Sequence, residues 1–326
     1  MDKYINRFSQ QLTDAIAIGE KIPPLHVRNE IRQIIISGMG GSGIGGGFVK
    51  DITFHSLTMP VIVLNDYNLP AYANENTLVI CSSYSGNTEE TISCLREALN
   101  KKCMICAVTS GGRVEEIARE NNLPLVKIPG GMPPRSCLGY SLVAQLYLLY
   151  RFQLIGENTI GDLKTVVAFL DKHENDIQDK AKNIAQKLDG KIPLIYTGTS
   201  ISALGIRWKQ QINENSKRHC FTGLVPEMNH NELVAFEETR HDLAIILLRN
   251  ISDHPRIQLR FELIKKLLAE KGFALTELFS QGDSYIHQLM YFIHLGDWVS
   301  YFLANMHETD PLDIEILNKL KRLLEQ

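Results

Sequence analysis

The chain has 326 residues, enough for about two domains, and its 44% apolar and 22% charged residues are close to globular proportions. Disordered, collagen-like and coiled-coil organisations fall away on that basis. The 34 basic and 37 acidic residues leave a formal charge of -3. That balance lacks the electrostatic footprint of a nucleic-acid or anionic-membrane binder, but it still allows a small anion to be held by backbone N–H groups.

The opening residues Met1-Asp2-Lys3-Tyr4-Ile5 carry no basic stretch followed by an apolar run, so no secretory signal is expected. The longest apolar tract, residues 138–149, is broken by Gly139, Ser141 and Gln145 and is too short to span a bilayer. Cysteines at 81, 94, 103, 106, 137 and 220 show no paired spacing. Cys103 and Cys106 form a C-x-x-C, but inside a run that reads as a buried strand. Without a second Cys/His pair they are core residues, and no metal is expected. A reducing, cytoplasmic location is the expectation.

After a leading helix, short β-rich apolar runs alternate with amphipathic stretches. Residues 34–37, 61–64, 78–82, 104–109 and 125–128 read as strands, and 45–54, 88–101 and 114–121 as helices. Such alternation implies βαβ units and a parallel sheet covered on both faces, a doubly wound α/β fold. A long apolar helix is expected over 136–154 and a Lys/Asp-rich helical pattern over 161–188. The pattern restarts with a strand at 192–197, a Gly198-Thr199-Ser200 turn and a helix through Trp208. Further strands are expected at 243–248 and 273–278, and helices at 288–306 and 314–324. The domains are therefore placed at 1–154 and 189–326, joined by a helical connector at 155–188.

Gly38-Met39-Gly40-Gly41-Ser42-Gly43 fits G-x-G-x-x-G between a strand and a helix, and Asp66 closes the second strand where a ribose-binding acid belongs. A nucleotide-dependent enzyme is one reading of that loop. A glycine turn at a helix N-terminus also suits a sugar oxygen or another anion, so the motif alone does not name the ligand. The third strand says more. The run from Leu78 to Thr88 places four Ser/Thr hydroxyls, at 82, 83, 85 and 88, around a Gly-Asn turn at a helix start. Hydroxyls and backbone amides there form a phosphate cup favoured by the helix dipole, whereas an ordinary N-cap accounts for only one hydroxyl.

The 83–88 segment resembles the phosphosugar-binding loop of sugar isomerase (SIS) domains. Further segments resemble the bifunctional phosphoglucose/phosphomannose isomerase family. They are Gly38 to Gly43, Met132-Pro133-Pro134-Arg135, the stretch from Trp208 to Lys217, the stretch from Pro226 to Glu232, and Asp310-Pro311 with the helix after it. They occur in the family's order across nearly the whole chain. After Asp310-Pro311 this chain reads Leu312-Asp313-Ile314, a departure from the Thr-Pro of the family pattern.

The resemblance implies two SIS-type, flavodoxin-like domains related by an internal repeat, in a homodimer with active sites at the subunit interface. It implies interconversion of glucose 6-phosphate and mannose 6-phosphate with fructose 6-phosphate, with neither cofactor nor metal. It also implies that Gly41 and Ser42 contact the sugar and that Ser83, Ser85 and Thr88 hold the phosphate. Arg135, Glu214, His230 and Lys321 are then the catalytic group.

Isomerisation opens the sugar ring and moves a proton between neighbouring carbons through a cis-enediol. A carboxylate near C1 and C2 suits the proton transfer, which the resemblance gives to Glu214. By itself Glu214, among Asn213, Asn215 and Lys217, reads as a solvated helix residue. Arg135 comes after two prolines that restrict its backbone, and a guanidinium there stabilises enediolate charge by about 3 kcal/mol or more. His230 suits ring opening because imidazole titrates near neutrality, and the family places it across the dimer. Lys321 lies beside the apolar spacing Ile314, Leu317, Leu320, Leu324, expected to be a buried stripe, with Lys319 as competitor. A non-catalytic phosphosugar-binding regulator is the alternative, although a binder has no need of the base.

Overall fold

The computed structural model describes residues 1–27, 29–238 and 240–324. Packing divides the chain into two units that interleave in sequence. The first comprises Asn6–Lys172 and Gly282–Met290, the second Met1–Ile5, His173–Gln281 and Tyr291–Gln326. Helix α1 (Asp2–Ile5) belongs to the second unit and helix α2 (Phe8–Glu20) opens the first.

In the first unit, strand β1 (Gln33–Ser37) leads into α3 (Gly40–Thr53), followed by β2 (Val61–Leu64), β3 (Thr77–Ser83), α4 (Glu89–Asn100) and β4 (Met104–Thr109). Helix α5 (Gly112–Glu120), β5 (Leu125–Lys127) and α6 (Leu138–Arg151) complete the run. The strands pair in the order β2-β1-β3-β4-β5, all parallel. A parallel sheet with both faces covered needs strands apolar on both sides. Accordingly Ile34, Ile35 and Ile36 are fully buried, as are Leu78, Val79 and Ile80 on the neighbouring strand. Each such side chain contributes about 1.5–3 kcal/mol of burial. The order 2-1-3-4-5 is that of flavodoxin-like sheets rather than the 3-2-1-4-5-6 of dinucleotide folds.

Helix α7 (Glu157–Leu188) covers the segment expected to connect the domains; its residues up to Lys172 belong to the first unit and those from His173 to the second. The second unit then repeats the strand–helix pattern with β6 (Ile192–Gly198), α8 (Ser202–Ser216), β7 (Phe221–Val225), β8 (Leu243–Arg249), α9 (Pro255–Glu270) and β9 (Ala274–Phe279). Its parallel sheet runs β7-β6-β8-β9, the same 2-1-3-4 order, with four strands among the described residues. Helices α10 (Tyr285–Met306) and α11 (Glu315–Leu324) end the chain.

Strand β7 and helix α9 are additions to the elements expected from sequence. Strand β7 is only five residues, Phe-Thr-Gly-Leu-Val, interrupted by Gly223 and preceded by the basic run Lys217 to His219. Helix α9 does carry signals: Pro255 at its first position, and Ile257, Phe261, Ile264 and Leu268 at helical spacing in the core behind β8.

Candidate functional site

In a 2-1-3-4-5 sheet, ligands bind where the chain order reverses, beyond the carboxyl ends of the first and third strands. In the first unit those ends carry the loops Gly38 to Gly43 and Ser83 to Thr88. The backbone N–H of Tyr84 donates to Ser42 Oγ at 3.1 Å, so the two loops are joined directly. Gly86 adopts φ +71°, and a Cβ there would stand 1.7 Å from the Gly111 carbonyl oxygen. Only glycine permits that crossing.

Within the 83–88 loop the hydroxyls bond to one another and to the backbone. Ser83 Oγ lies 2.8 Å from Thr88 Oγ1 and accepts from the Gly86 N–H at 3.1 Å, while Ser85 Oγ accepts from the Asn87 N–H at 3.2 Å. Thr88 sits at the N-cap of α4 without capping it through its side chain. The turn is therefore not an ordinary Ser/Thr cap. It is a tight loop whose hydroxyls and amides converge at a helix N-terminus, an arrangement suited to phosphate oxygens.

Arg135 reaches the same place. It lies on a short 3-10 turn, Pro134–Ser136, and is 4% exposed. A Cβ on Gly41 would come within 2.8 Å of the Pro134 carbonyl oxygen, so the glycine loop packs backbone-to-backbone against the Arg135 turn. From the opposite side Gln11 of α2, itself buried, donates to the Ser136 carbonyl at 2.7 Å and accepts from the Gly139 N–H at 2.6 Å. Gly41, Ser42, Ser83, Ser85, Thr88 and Arg135 are thus held on three adjoining segments of one unit. Tyr84 and Gln11 are structural partners the motif reading overlooked; the first stood inside the phosphate motif as an unremarked aromatic.

Asp66 accepts a hydrogen bond from the Tyr67 N–H at 2.6 Å and is exposed at the end of β2. The strand order is not the 3-2-1-4-5-6 of dinucleotide folds. Cys106 is buried within β4 and Cys103 is half-buried beside it. Among the described residues no group of His, Cys, Asp and Glu could hold a metal ion.

The second unit carries Glu214, His230 and Lys321, on three different elements. Glu214 is half-buried in the last turn of α8. Its polar neighbours are structural: Asn215 Nδ2 donates to Ser300 Oγ at 2.9 Å and Ser216 Oγ to the Ser300 carbonyl at 2.7 Å, both buried. Two turns earlier Arg207 pairs with Asp297 at 2.8 Å, and Trp208 Nε1 donates to the Phe292 carbonyl. The polar stretch is polar because it knits α8 to α10, and this fixes the helix turn from which Glu214 projects.

His230 ends a 3-10 turn, Glu227–His230, and is exposed. The loop is anchored by Met228, which is fully buried, and by Arg260, which donates to Asn229 Oδ1 at 3.1 Å. Lys321 and Lys319 are both exposed on α11. The expected buried stripe on that helix is not found: no residue of α11 is buried, and Leu317, Leu320 and Leu324 are exposed. The apolar spacing makes the helix amphipathic, but among the described residues nothing covers its apolar face.

The corresponding turns of the second sheet differ in charge. Beyond β6 and β8, Ser200 Oγ donates to Asp253 Oδ1 at 2.5 Å and the Asn250 N–H to Oδ2 at 3.4 Å. A Cβ on Gly198 would stand 2.8 Å from that carboxylate. Burial pushes the Asp253 carboxyl above its ordinary range. A carboxylate stands where the first sheet offers hydroxyls, so a phosphate entering there meets negative charge. The electrostatics favour the first sheet.

The family model of the bacterial phospho-glucose isomerase C-terminal SIS domain matches residues 177–324. Over 335 residues, 99% of this chain and 98% of the relative, the sequence is 35% identical to a bifunctional phosphoglucose/phosphomannose isomerase of Caldicellulosiruptor bescii. It is 36% identical to the protein of that description in Aquifex aeolicus, covering 90% of this chain and 91% of the relative. Among solved structures, tagatose-6-phosphate ketose/aldose isomerase of Escherichia coli superposes with a TM-score of 0.72 at 13% identity, covering 95% of this chain and 93% of that one. The last comparison shows the fold alone.

Proposed function

Because the chain belongs to the bifunctional phosphoglucose/phosphomannose isomerase family, we propose that it interconverts glucose 6-phosphate and mannose 6-phosphate with fructose 6-phosphate through a cis-enediol, without a cofactor. The reaction is internally balanced. One hydrogen moves from C2 to C1 and one proton from O2 to O1, with no external oxidant or reductant. Both C2 epimers lose the hydrogen at that carbon and pass through a planar C2.

Ser83, Ser85 and Thr88 hold the phosphate and Gly41 and Ser42 the sugar. Arg135 stabilises the oxyanion that develops on the enediolate. Glu214 takes the C2 proton and returns it to C1. His230, supplied by a second copy of the chain in a homodimer, protonates the ring oxygen during opening, and Lys321 assists as a relay. The observation that carries this reading is the joining of the 83–88 hydroxyl loop, the glycine loop and the Arg135 turn within one unit. A pure phosphosugar binder needs the first two but not a buried arginine on a double-proline turn.

The test is a coupled assay of the purified chain with fructose 6-phosphate. Formation of both glucose 6-phosphate and mannose 6-phosphate is expected. Binding of the phosphosugar with no product of either kind sinks the enzyme reading and leaves a regulator.

A further inference from the structure

We infer that Tyr84 is a positioning residue that couples occupancy of the phosphate loop to the placement of Arg135. The inference rests on the functional reading above for the role of Arg135, and on geometry for the coupling. Tyr84 lies between Ser83 and Ser85, and its polar atoms tie together four segments. Its N–H donates to Ser42 Oγ at 3.1 Å. Its carbonyl accepts from the Ser110 N–H at 3.1 Å and from Ser110 Oγ at 2.7 Å. Its phenolic oxygen accepts from the Met132 N–H at 3.1 Å.

The last bond matters because two prolines separate Met132 from Arg135. Pro133 and Pro134 have no N–H, so Met132 supplies the last backbone donor before Arg135. Through that donor the approach to the Arg135 turn is fixed to the phosphate loop. On the far side Gln11 fixes the Ser136 carbonyl, but Gln11 belongs to α2 rather than to the loop that takes the ligand. The tyrosine is 9% exposed, and its bond to Met132 is part-buried. Burial, and after it the hydrogen bond with Cys137, push the phenol above its ordinary range.

Phosphate held by Ser83, Ser85 and Thr88 thereby restrains the residue at their centre, and that residue restrains the backbone leading to the guanidinium. Small displacements of an oxyanion-stabilising group are costly because the developing charge must be met at hydrogen-bond distance. Tyr84→Phe keeps the ring and removes the hydroxyl, and with it the bond from Met132 and the bond with Cys137 on either side of Arg135, so the expected defect lies in turnover rather than in phosphate affinity.

The experiment measures Tyr84→Phe, Arg135→Ala and the double variant with fructose 6-phosphate, with inhibition by inorganic phosphate and amide hydrogen exchange at Met132. Tyr84→Phe should lower kcat at least tenfold while KM and the phosphate inhibition constant stay within twofold. In the Arg135→Ala background the same change should cost less than a further twofold, because the group it positions is gone. An undiminished loss in that background, or a phosphate inhibition constant that weakens in step with kcat, overturns the inference.

A wild-type chain without isomerase activity would fail the functional reading but not this one, which has a separate readout. Inorganic phosphate should slow Met132 amide exchange several-fold in the wild type. In Tyr84→Phe that exchange should be faster and unresponsive to phosphate. No slowing in the wild type overturns the coupling whether or not the variant folds.

Discussion

The Lys217 side chain donates to the carbonyl of Asp310 at 2.9 Å, joining the end of helix α8 to the segment that precedes the final helix. The same ammonium donates to the Glu214 carbonyl at 2.8 Å, and Lys217 itself closes α8 in the left-handed conformation at φ 54°. One residue thus fixes both the turn that bears Glu214 and the start of the segment that bears Lys321. The carboxylate and the lysine named by the family motifs are connected through a third residue that no motif role required.

Lys217→Ala should therefore lower turnover by several-fold while the fold persists. An exposed hydrogen bond of this kind contributes about 1 kcal/mol, so denaturant unfolding should shift by no more than that. Unchanged kcat in this variant would show that the tether is irrelevant to the reaction.

Glu214→Gln keeps the shape of the last turn of α8 and removes the proton acceptor. Turnover should drop by roughly 10²- to 10⁴-fold, the usual contribution of a general base, with KM nearly unchanged. Single-turnover kinetics with fructose 6-phosphate check it, and wild-type turnover in the variant would remove Glu214 from its role.

Ser83→Ala removes the hydroxyl that meets Thr88 Oγ1 and the Gly86 N–H. Hydrogen bonds to a charged group are worth about 1.5–3 kcal/mol, which corresponds to roughly a 10- to 100-fold rise in KM. The contrast with Tyr84→Phe is the useful measurement: neighbouring residues in one loop should move KM and kcat separately.

Asp253 gives a pH dependence. Burial raises its carboxyl above the ordinary range, opposed by the hydrogen bonds from Ser200 and Asn250. The folded state therefore binds this proton more tightly than the unfolded chain, so the group opposes folding when ionised and the penalty fades as pH falls through its raised value. Asp253→Asn retains an oxygen acceptor for Ser200 and should be as stable as the wild type or more so at pH 7, by up to about 1 kcal/mol. That advantage should shrink as the pH is lowered through the carboxylate range in thermal unfolding. A wild type more stable than the variant at pH 7, with the gap closing at low pH, would reverse the sign.

The fold was largely legible because its signals are local. Continuous apolar runs such as Ile34 to Ile36 suit central parallel strands, and strand β2 and strand β4 begin and end where the sequence places them. Strand β7 escaped because an edge strand needs less apolar surface. Phe221 at its start is exposed, and only pairing with β6 reveals the strand. The amphipathic pattern of α11 was read correctly as a period and wrongly as burial. A period reports which residues share a face, whereas burial depends on what lies against it, and no residue of α11 is buried.

For the site, the sequence by itself determined which residue types the proposed chemistry draws on. The hydroxyls at 83, 85 and 88, the glycines before α3 and the double proline before Arg135 are short-range patterns, and the family motifs are read from residue identity alone. Only the tertiary structure decided how these pieces are held. The bond from Tyr84 to Ser42, the bond from Met132 to Tyr84 and the clamp of Gln11 on Ser136 join residues 42, 48 and 125 positions apart. Nothing in the local sequence marks such partners, because any tyrosine or glutamine can make these bonds and only the winding of the chain brings one within about 3 Å of its partner. Tertiary structure also separated the two sheets. Their strand orders agree, but the first presents hydroxyls at its switch point and the second the buried carboxylate of Asp253, and that difference in charge favours one of them for phosphate.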